Sequence, residues 1–298
     1  MIAVPRDRSV YSLSGEDLPA AVVRPGESFV LETCDCFGDQ VQSSEADIGG
    51  VDWTRINPAT GPVFVEGAEP GDVLEVAVEK VEVARRGVMA VSGDFGVLRD
   101  HFEGIAFEMV TLDDGHALVA GARVPVRPMI GVIGVAPAGE AVPCGSPGPH
   151  GGNMDTRLIG EGATLFLPVS VPGALLAAGD LHAAMGDGEI CGTGVEVAGS
   201  IRLRAAVRRD LRLANPVVRT DEVIATIASA VALDDAADTA TRDMADLLMG
   251  RLGMSAAAAA MLMSAAGQLQ VSQVVDPLKT ARFAMSRGLL APLGGELV

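Results

Sequence analysis

Residues 73–83 read VLEVAVEKVEV, a stretch in which apolar side chains largely alternate with charged ones. A period of two is the pattern of a β-strand with one buried face. The preceding EPGD, at residues 69–72, has the composition of a tight turn. Farther along, residues 128–135 read PMIGVIGV, and this unbroken apolar run predicts a strand buried on both faces. Together these stretches favour a mainly β fold, an antiparallel sandwich or a barrel-like sheet.

The chain has two parts of different composition. Up to about residue 215, short apolar runs alternate with turns rich in Gly and Pro, whereas apolar residues after that point recur at helical spacing. We therefore expect a β-rich catalytic region at residues 1–215 and a C-terminal α/β region at residues 216–298. Both regions are expected to share one core, as a single structural unit of the α+β class.

Caps and chain breakers predict the C-terminal elements. Asp234-Asp235 is expected to cap a helix that ends before Gly253, and Ser255 to cap a second, alanine-rich helix. Pro277 is expected to begin a short helix that contains Lys279. Because the helices are very apolar, we expect them to pack on the β-rich part. Further strands are predicted at residues 28–31, 165–171, 194–207, 223–227 and 271–275.

Charge and composition exclude several classes of partner. The 298 residues include 22 Lys and Arg against 39 Asp and Glu, which gives a net charge of −17. Such a chain repels nucleic acids and anionic membrane surfaces. Aromatic residues are only 3% of the chain, too few for base-stacking platforms. A small polar ligand, uncharged or cationic, is compatible with these numbers.

The cysteine content and the apolar runs bear on location. The four cysteines are too few for a disulfide framework in a chain of this length. The longest alanine-rich apolar run, residues 255–263, is far shorter than the roughly 20 residues of a membrane span. Charges near the N-terminus stand where a signal peptide needs its apolar run. We therefore expect a reduced, cytoplasmic protein that does not span a membrane.

Two familiar kinds of amide hydrolase site are disfavoured. Serine and cysteine amidases with a catalytic lysine need that residue in the site, and the chain has only Lys80 and Lys279. Lys80 falls on the exposed face of the alternating strand, and Lys279 lies close to Arg282 near the C-terminus. Residues 145–148, GSPG, also lack the spacing of a G-x-S-x-G nucleophile elbow.

A first polar cluster, ETCDCFGDQ at residues 32–40, directly follows a predicted strand. The strand could direct the carboxylate of Asp35 into a cleft. Equally, the segment could be a polar turn with small buried cysteines. Cys34 and Cys36 alone are weak evidence for zinc, because no second pair of ligands stands at the spacing of a structural site.

A second cluster, PHGGNMD at residues 149–155, combines a histidine with paired glycines. Glycines let backbone N–H groups approach a ligand closely, as an oxyanion hole requires. Asn153 and Asp155 add an amide and a carboxylate to His150 within the same turn. A Gly/Pro turn with only a structural role is the alternative, and we favour function because such a turn seldom needs all three polar groups.

A third cluster, GDLHAAMGDGE at residues 179–189, places one imidazole and three carboxylates among small residues. Neutral imidazole and carboxylate oxygens together are typical ligands of divalent metals. The sequence therefore favours a metal site that includes His182 and Glu189, over the alternative of an acidic surface hairpin.

At these clusters the sequence resembles the acetamidase/formamidase family. The resemblance implies a β-rich fold with C-terminal helices and hydrolysis of short amides to a carboxylate and ammonia. It also implies a soluble homo-oligomer, a dimer or larger, and is compatible with a divalent metal. The stretches that carry it are residues 61–72, 128–137, 143–155, 179–196 and 272–277.

The mechanism that follows from this resemblance is metal-assisted hydrolysis. Asp35, His182 and Glu189 would hold a divalent ion, most simply Zn²⁺ with Ca²⁺ as the alternative, to activate water. An arrangement with Asp155 as a ligand and Glu189 as the general base fits the sequence equally well.

The remaining catalytic roles fall to the second cluster. His150 or Asp155 would carry the proton to the leaving ammonia. The N–H groups of Gly151 and Gly152, together with Asn153, would stabilise the tetrahedral oxyanion.

Two other functions remain open at this point. A non-catalytic small-ligand binding protein with a structural metal would share the fold and the acidic cleft. A metal-free hydrolase with a nucleophilic cysteine, at Cys34, Cys36 or Cys144, is the other.

Overall fold

The computed structural model describes residues 1–46, 50–294 and 297–298. Three helices lie near the C-terminus: α1 Leu233–Leu252, α2 Ala256–Ala266 and α3 Arg287–Leu290. Short 3₁₀ turns are formed by Trp53–Arg55, Arg99–His101 and Ala291–Leu293. The strands are β1 Ile2–Val4, β2 Ser9–Val10, β3 Ser12–Leu13, β4 Ala21–Val23, β5 Ser28–Thr33, β6 Ala59–Val65, β7 Val73–Val83, β8 Arg86–Ser92, β9 Ile105–Asp113, β10 His116–Val119, β11 Ala122–Pro125, β12 Met129–Gly134, β13 Val142–Pro143, β14 Gly151–Asn153, β15 Thr164–Pro168, β16 Leu176–His182, β17 Glu196–Val197, β18 Gly199–Arg208, β19 Val217–Arg219, β20 Val223–Ala230, β21 Gln268–Gln273 and β22 Lys279–Ser286.

The first sheet contains the alternating strand β7 near its middle. Its strand order is β1-β5-β18-β7-β15-β19-β20-β22-β21, and every pair except β1–β5 is antiparallel. In β7 the side chains of Leu74, Val76 and Val78 are buried, as the period of two predicts. Val81 is also buried but out of this phase, since the pairing with β18 is irregular between Val78 and Lys80.

The second sheet carries the residues of interest. Its main path runs β11-β10-β9-β8-β17-β16-β12-β14, with β6 pairing to β16 and both β2 and β4 pairing to β6. All six residues of β12 are buried, as the apolar run at residues 128–135 predicts. The neighbouring strand β16 is buried at all seven positions.

The main core lies between the two sheets. It joins Val76 and Leu203 of the first sheet to Ile130, Ala178 and other apolar side chains of the second. Because both sheets are open and packed face to face, the fold is a sandwich. The predicted β-rich class with C-terminal helices is thus confirmed.

The helices cover the other face of the first sheet. Met244 and Leu248 of α1 and Met263 of α2 pack with Phe166 and Met285 of the sheet. Ser255 caps α2 as predicted, because its Oγ accepts the N–H of Ala258 at 3.2 Å. At the start of α1 the prediction was wrong by two residues: the N-cap is Ala232, and the two aspartates lie in the first turn. Their charges are favourable there beside the positive end of the helix dipole.

The helix predicted from Pro277 is wrong. Residues Lys279–Ser286 form β22, which pairs with β20 on one edge and β21 on the other. Side chains from Thr280 to Met285 are buried on both faces of this strand. Pairing at both edges overrides the local signal of a proline followed by helix-forming residues.

The two predicted regions contribute to the same sheet. The chain passes from β18 to β19 around residue 215, and both strands belong to the first sheet. In the part of the chain that the structure describes, no helix is both long and apolar enough to cross a membrane.

Candidate active site

Strand β16 positions the central histidine of the site. Leu181 packs in the core between the sheets, whereas Asp180 and His182 flank it at alternate positions and face away from that core. Across the antiparallel pair with β17, His182 stands directly opposite Glu196. The strand therefore places one imidazole and two carboxylates on the outer face of the second sheet.

Two loops complete this group of side chains. Asp155 follows β14, the edge strand beside β12. Glu189 lies in the loop after β16 and is buried. We define the acidic centre as Asp155, Asp180, His182, Glu189 and Glu196; all five residues are buried.

The imidazole of His182 lies among four carboxylates. Its Nε2 is 3.2 Å from Glu196 Oε2 and 4.0 Å from Glu189 Oε1. Asp155 Oδ1 and Asp180 Oδ1 each lie 3.6 Å from the same nitrogen. Four buried carboxylates around one imidazole leave a strong demand for positive charge.

The backbone of the acidic centre is held in uncommon conformations. The φ angles of Asp155, Asp180 and Glu189 are +41°, +55° and +49°, all in the left-handed region that side chains other than glycine seldom adopt. Such conformations persist only where the surrounding structure fixes them, and they concentrate at functional sites.

Gly131 of β12 makes room for two of these carboxylates. A Cβ at this position would lie 2.6 Å from Asp155 Oδ1 and 2.8 Å from Asp180 Oδ2. Only a residue without a side chain therefore fits between the strand and the acidic centre.

Burial and mutual repulsion shift the pKa values of the carboxyl groups. Burial raises the pKa of Asp155 to about 6 and that of Glu196 to about 8, and in both the charge of Asp180 adds to the effect. The pKa of Glu189 also rises well above its usual value, through burial and the charge of Asp155. These groups therefore hold protons far more readily than exposed carboxylates.

The pKa of His182 moves in the direction opposite to that expected from burial. Burial lowers it, but the carboxylates of Glu196 and Asp180 outweigh that effect and raise it well above 6.5. Either a proton on His182 or a metal cation beside it would compensate the negative charge of these carboxylates.

Several buried polar atoms of the acidic centre have no hydrogen-bond partner among the described residues. They are Asp155 Oδ1, Asp180 Oδ1, Glu196 Oε2 and His182 Nδ1. Buried oxygens are seldom left unpaired without a ligand or water to satisfy them. Three of these atoms are carboxylate oxygens that lie within 3.6 Å of the imidazole.

Two sets of residues offer the geometry of a metal site. The ligand atoms of Asp155, His182 and Glu189 lie within 4.8 Å of one another, and so do those of Cys36, Asp180 and Glu196. The first set offers one imidazole nitrogen and two carboxylate oxygens. The second adds a thiol, from the cluster at residues 32–40.

The carboxylate of Asp35 accepts hydrogen bonds from backbone N–H groups of its own turn. Its Oδ1 accepts the N–H groups of Phe37 and Asp39 at 3.0 and 2.9 Å, and the N–H of Asp35 donates in return to Asp39 Oδ1. This is the polar turn that the sequence offered as the alternative for this cluster. The structure brings together Asp155, His182 and Glu189, and it does not place Asp35 in that set.

His150 lies in a tight glycine-rich turn. A Cβ on Gly148 or Gly152 would come within 3.0 Å of its ring nitrogens. Burial lowers the pKa of His150 to about 4, so the imidazole is neutral at pH 7. Its Nε2 has no hydrogen-bond partner in the described parts of the chain.

One of the three groups predicted to form the oxyanion hole already has a hydrogen-bond partner. The N–H of Gly151 donates to the carbonyl of Gly148 at 3.0 Å, so it is already bonded and cannot serve an oxyanion. Gly152 lies opposite Ile133 in the β12–β14 pair. Asn153 remains suitable, since its Nδ2 makes one hydrogen bond, to Asp276 Oδ2 at 3.0 Å, and carries a second hydrogen.

Four residues of this site were not assigned by the sequence. Asp180 stood inside the third cluster, two positions before His182, and Asp276 lay in the stretch at residues 272–277. Glu196 ends the stretch at residues 179–196, but no local pattern marks it as a neighbour of His182, because only its pairing across the sheet brings the two together. The sequence offers Cys36 as a candidate nucleophile and as weak evidence for zinc, and the structure places it beside Asp180 and Glu196.

A cavity of about 620 Å³ adjoins the acidic centre. Glu189 and Gly194 contribute to its wall, and a Cβ on Gly194 would lie 2.6 Å from His182 Nδ1. Most of the remaining wall is apolar, with Met89, Val124 and Ile190 among its residues. This cavity offers a small neutral molecule a route toward Glu189.

Known proteins resemble this chain in both sequence and structure. The profile of the Acetamidase/Formamidase family matches residues 15–143 and 138–281. The crystal structure of a predicted acetamidase/formamidase from the thermophile Thermoanaerobacter tengcongensis superposes with a TM-score of 0.96 at 50% identity, over 98% of each chain. That of an acetamidase from Bacillus halodurans gives 0.95 at 44% identity, over 98% of this chain and 100% of the other.

Relatives known from sequence are more distant. A formamidase of Methylophilus methylotrophus is 28% identical, over 74% of this chain and 70% of that protein. The chain spans 62 to 70% of the length of the curated relatives it matches.

Proposed function

The chain belongs to the acetamidase/formamidase family, and from this premise we propose that it hydrolyses small linear amides to a carboxylate and ammonia. The acidic centre around His182 is the observation that carries the proposal, because it gathers buried groups able to bind a cation and to move protons. The names of the relatives, formamidase and acetamidase, support formamide and acetamide as the first substrates to test.

We propose further that Asp155, His182 and Glu189 hold a divalent metal, and Zn²⁺ before Ca²⁺. Donor atoms that share one tetrahedral Zn²⁺ at roughly 2.0–2.1 Å lie about 3.3 Å apart. His182 Nε2 lies 3.6 Å from Asp155 Oδ1 and 4.0 Å from Glu189 Oε1, so small movements of these side chains would bring the three ligand atoms to that spacing. When bound, Zn²⁺ supplies Lewis-acid polarisation of an amide carbonyl and lets water ionise near pH 7.

Glu196 is suited to deliver a proton. Burial raises the pKa of its carboxyl above the usual range, so that it holds a proton more readily than an exposed glutamate, and Oε2 lies 3.2 Å from the imidazole of His182. The nitrogen of an amide must be protonated before it can leave as ammonia. We therefore assign Glu196 the general-acid role that the sequence gave to His150 or Asp155.

Asn153 is suited to stabilise the oxyanion. Asp276 fixes the orientation of its amide group through one N–H, and the other N–H has no partner among the described residues. A fixed donor of this kind typically accelerates amide hydrolysis by about 10²–10³-fold.

A cysteine nucleophile is a weaker candidate. Burial raises the pKa of Cys34 to about 11 and that of Cys144 to about 12, and burial beside Glu196 and Asp180 raises the pKa of Cys36 well above 9.0. Thiols with such pKa values stay protonated at pH 7 and react slowly.

The proposal extends to a cytoplasmic homo-oligomer, a dimer or larger. The family resemblance supports the oligomer. The four free cysteines, Cys34, Cys36, Cys144 and Cys191, are compatible with a reducing compartment.

Ammonia release from formamide, acetamide and propionamide tests the proposal. We expect turnover that chelation abolishes and Zn²⁺ restores, and we expect Asp155→Asn to be inactive. Asp243→Asn is the matched control, because Asp243 is a half-buried carboxylate of α1 with a raised pKa. Saturable amide binding without any ammonia would instead show a binding protein, and turnover indifferent to chelation would contradict the metal.

A further inference from the structure

Arg282 is an arginine whose side chain is only 1% exposed, in the middle of β22. A buried guanidinium is tolerated when its N–H groups are hydrogen-bonded and its charge is paired. The partners of this group therefore show what the arginine holds in place.

Each nitrogen of the guanidinium has a partner. Nε donates to Gln270 Oε1 at 2.8 Å, and Nη1 donates to the carbonyl of Val271 at 3.2 Å and to Ser272 Oγ at 3.1 Å. Nη2 donates to Asp187 Oδ2 at 2.8 Å. Two of these partners, Ser272 and Asp187, lead toward the acidic centre.

The first connection reaches Glu189. Asp187 lies two residues before Glu189, and the residue between them is anchored to β21, because the N–H of Gly188 donates to the carbonyl of Ser272 at 2.8 Å. Asp187 also pairs with Arg157 at 2.8 Å from the solvent side. The loop that carries Glu189 is thus fixed to the β21–β22 hairpin at two adjacent residues.

The second connection reaches Asp155. The hydroxyl of Thr156 donates to Ser272 Oγ at 2.8 Å, and both side chains are buried. Thr156 directly follows Asp155 in the chain. One guanidinium is therefore one side chain away from each of the two loops that supply carboxylates to the proposed metal site.

We infer that Arg282 is a positioning residue, which holds the carboxylates of Asp155 and Glu189 in place through Ser272–Thr156 and through Asp187. This inference rests on the proposed amide hydrolysis. Both carboxylate residues have positive φ, a conformation that the chain leaves unless tertiary contacts maintain it. Loss of the guanidinium lets both loops relax, with the rest of the sandwich intact.

Arg282→Met is the primary test, because methionine fills the buried space without any N–H donor. Partners that orient ligands of a metal are typically worth about 10–100-fold in activity. We expect kcat on acetamide to fall by about that factor with KM nearly unchanged, and Asp187→Asn, which cuts only the connection to Glu189, to lose less. Arg282→Lys restores one charge–charge contact and should recover part of kcat.

Arg219→Met is the control for general destabilisation. Arg219 lies in the same sheet, is mostly buried, and binds the carbonyl of Val298 and Glu75, outside the acidic centre. We expect this variant to lower the melting temperature and to leave kcat close to that of the wild type. Equal kcat in the two methionine variants would overturn the inference.

Amide hydrogen exchange makes the result independent of turnover. We expect faster exchange over residues 186–192 and 154–159 in Arg282→Met, and unchanged exchange there in Arg219→Met. If the wild type hydrolyses no amide, the proposed function fails, and the exchange rates alone decide whether Arg282 holds the two loops. Unchanged exchange in both segments, or faster exchange with unaltered kcat, contradicts the positioning role.

Discussion

His182 and Glu196 face each other across the β16–β17 pair, with 3.2 Å between Nε2 of the histidine and Oε2 of the glutamate. Register in the sheet thus creates the central contact of the site. Burial and the charge of Asp180 raise the pKa of Glu196 to about 8, although the imidazole of His182 lowers it.

Glu196→Gln removes the proton that we assign to the leaving ammonia. We expect kcat on acetamide at pH 7 to fall by about 10²–10⁴-fold, the usual contribution of a general acid. In the wild type, kcat should also decline as the pH rises and the carboxyl of Glu196, whose pKa burial raises, loses its proton. A pH series of ammonia release checks both points, and a fully active glutamine variant would remove Glu196 from the mechanism.

Gly131→Ala tests the close packing below the acidic centre. The new methyl group would lie 2.6 Å from Asp155 Oδ1, so the carboxylate must move. We expect kcat to fall by about tenfold or more, and the free energy of unfolding to fall by about 1–3 kcal/mol.

Gly250→Ala is the matched control for that substitution. A Cβ at this position, which lies inside α1, would meet no atom of the described residues within 4 Å beyond its chain neighbours and the backbone of its own helix. We expect unchanged kcat and a gain of up to about 1 kcal/mol, because alanine favours a helix. Unchanged kinetics in Gly131→Ala would show that the carboxylates tolerate displacement.

His150→Gln tests the effect of a buried neutral imidazole on acid stability. The folded-state pKa is about 4 against 6.5 for a free histidine, so between these values the unfolded chain binds more protons. The stability contributed by His150 is therefore full above about pH 6.5 and lost as the pH falls toward 4. The shift corresponds to about 3 kcal/mol.

Urea unfolding of both proteins at pH 7 and pH 4 measures this difference. The wild type should lose about 3 kcal/mol more than His150→Gln over that range. Equal losses would show that the imidazole is not held neutral. The kcat of the same variant also separates a role in proton transfer from a purely structural one.

Thermal shifts with Zn²⁺ distinguish a metal site that contains Asp155 from one that contains Asp35. Both sites would also contain His182 and Glu189. A ligand that binds only the folded state at about 100 times its Kd adds about 2.7 kcal/mol to stability. We expect Zn²⁺ to raise the melting temperature of the wild type and of Asp35→Asn. We expect no rise in Asp155→Asn or His182→Ala. A rise in Asp155→Asn, with none in Asp35→Asn or His182→Ala, would restore Asp35 as the ligand.

Local patterns in the sequence predicted much of the fold. The alternation in residues 73–83 gave β7, and the apolar run at residues 128–135 gave β12, because strand burial is written directly in such patterns. Ser255 marked the start of α2 for a similarly local reason. The failure at β22 has the opposite cause, since its partners β20 and β21 decide its conformation.

The site follows the same division. Clusters of polar residues with glycine drew attention to Asp155, His182 and Glu189, which the structure brings together. Glu196 and Arg282 escaped notice, because a single charged residue within a strand has no local signature of function. The role of Glu196 depends on its pairing with β16, and that of Arg282 depends on its contact with the loop that follows β16.

The left-handed backbone at Asp155, Asp180 and Glu189 has a practical consequence for engineering this protein. Replacing any of the three by glycine relieves an unfavourable φ angle and deletes a charge from a crowded, buried set. Selection of random libraries for heat resistance would therefore enrich clones that have lost a carboxylate of the acidic centre. Libraries designed to increase thermal stability should therefore leave these three residues unchanged. Stable variants should be assayed for ammonia release before they are ranked.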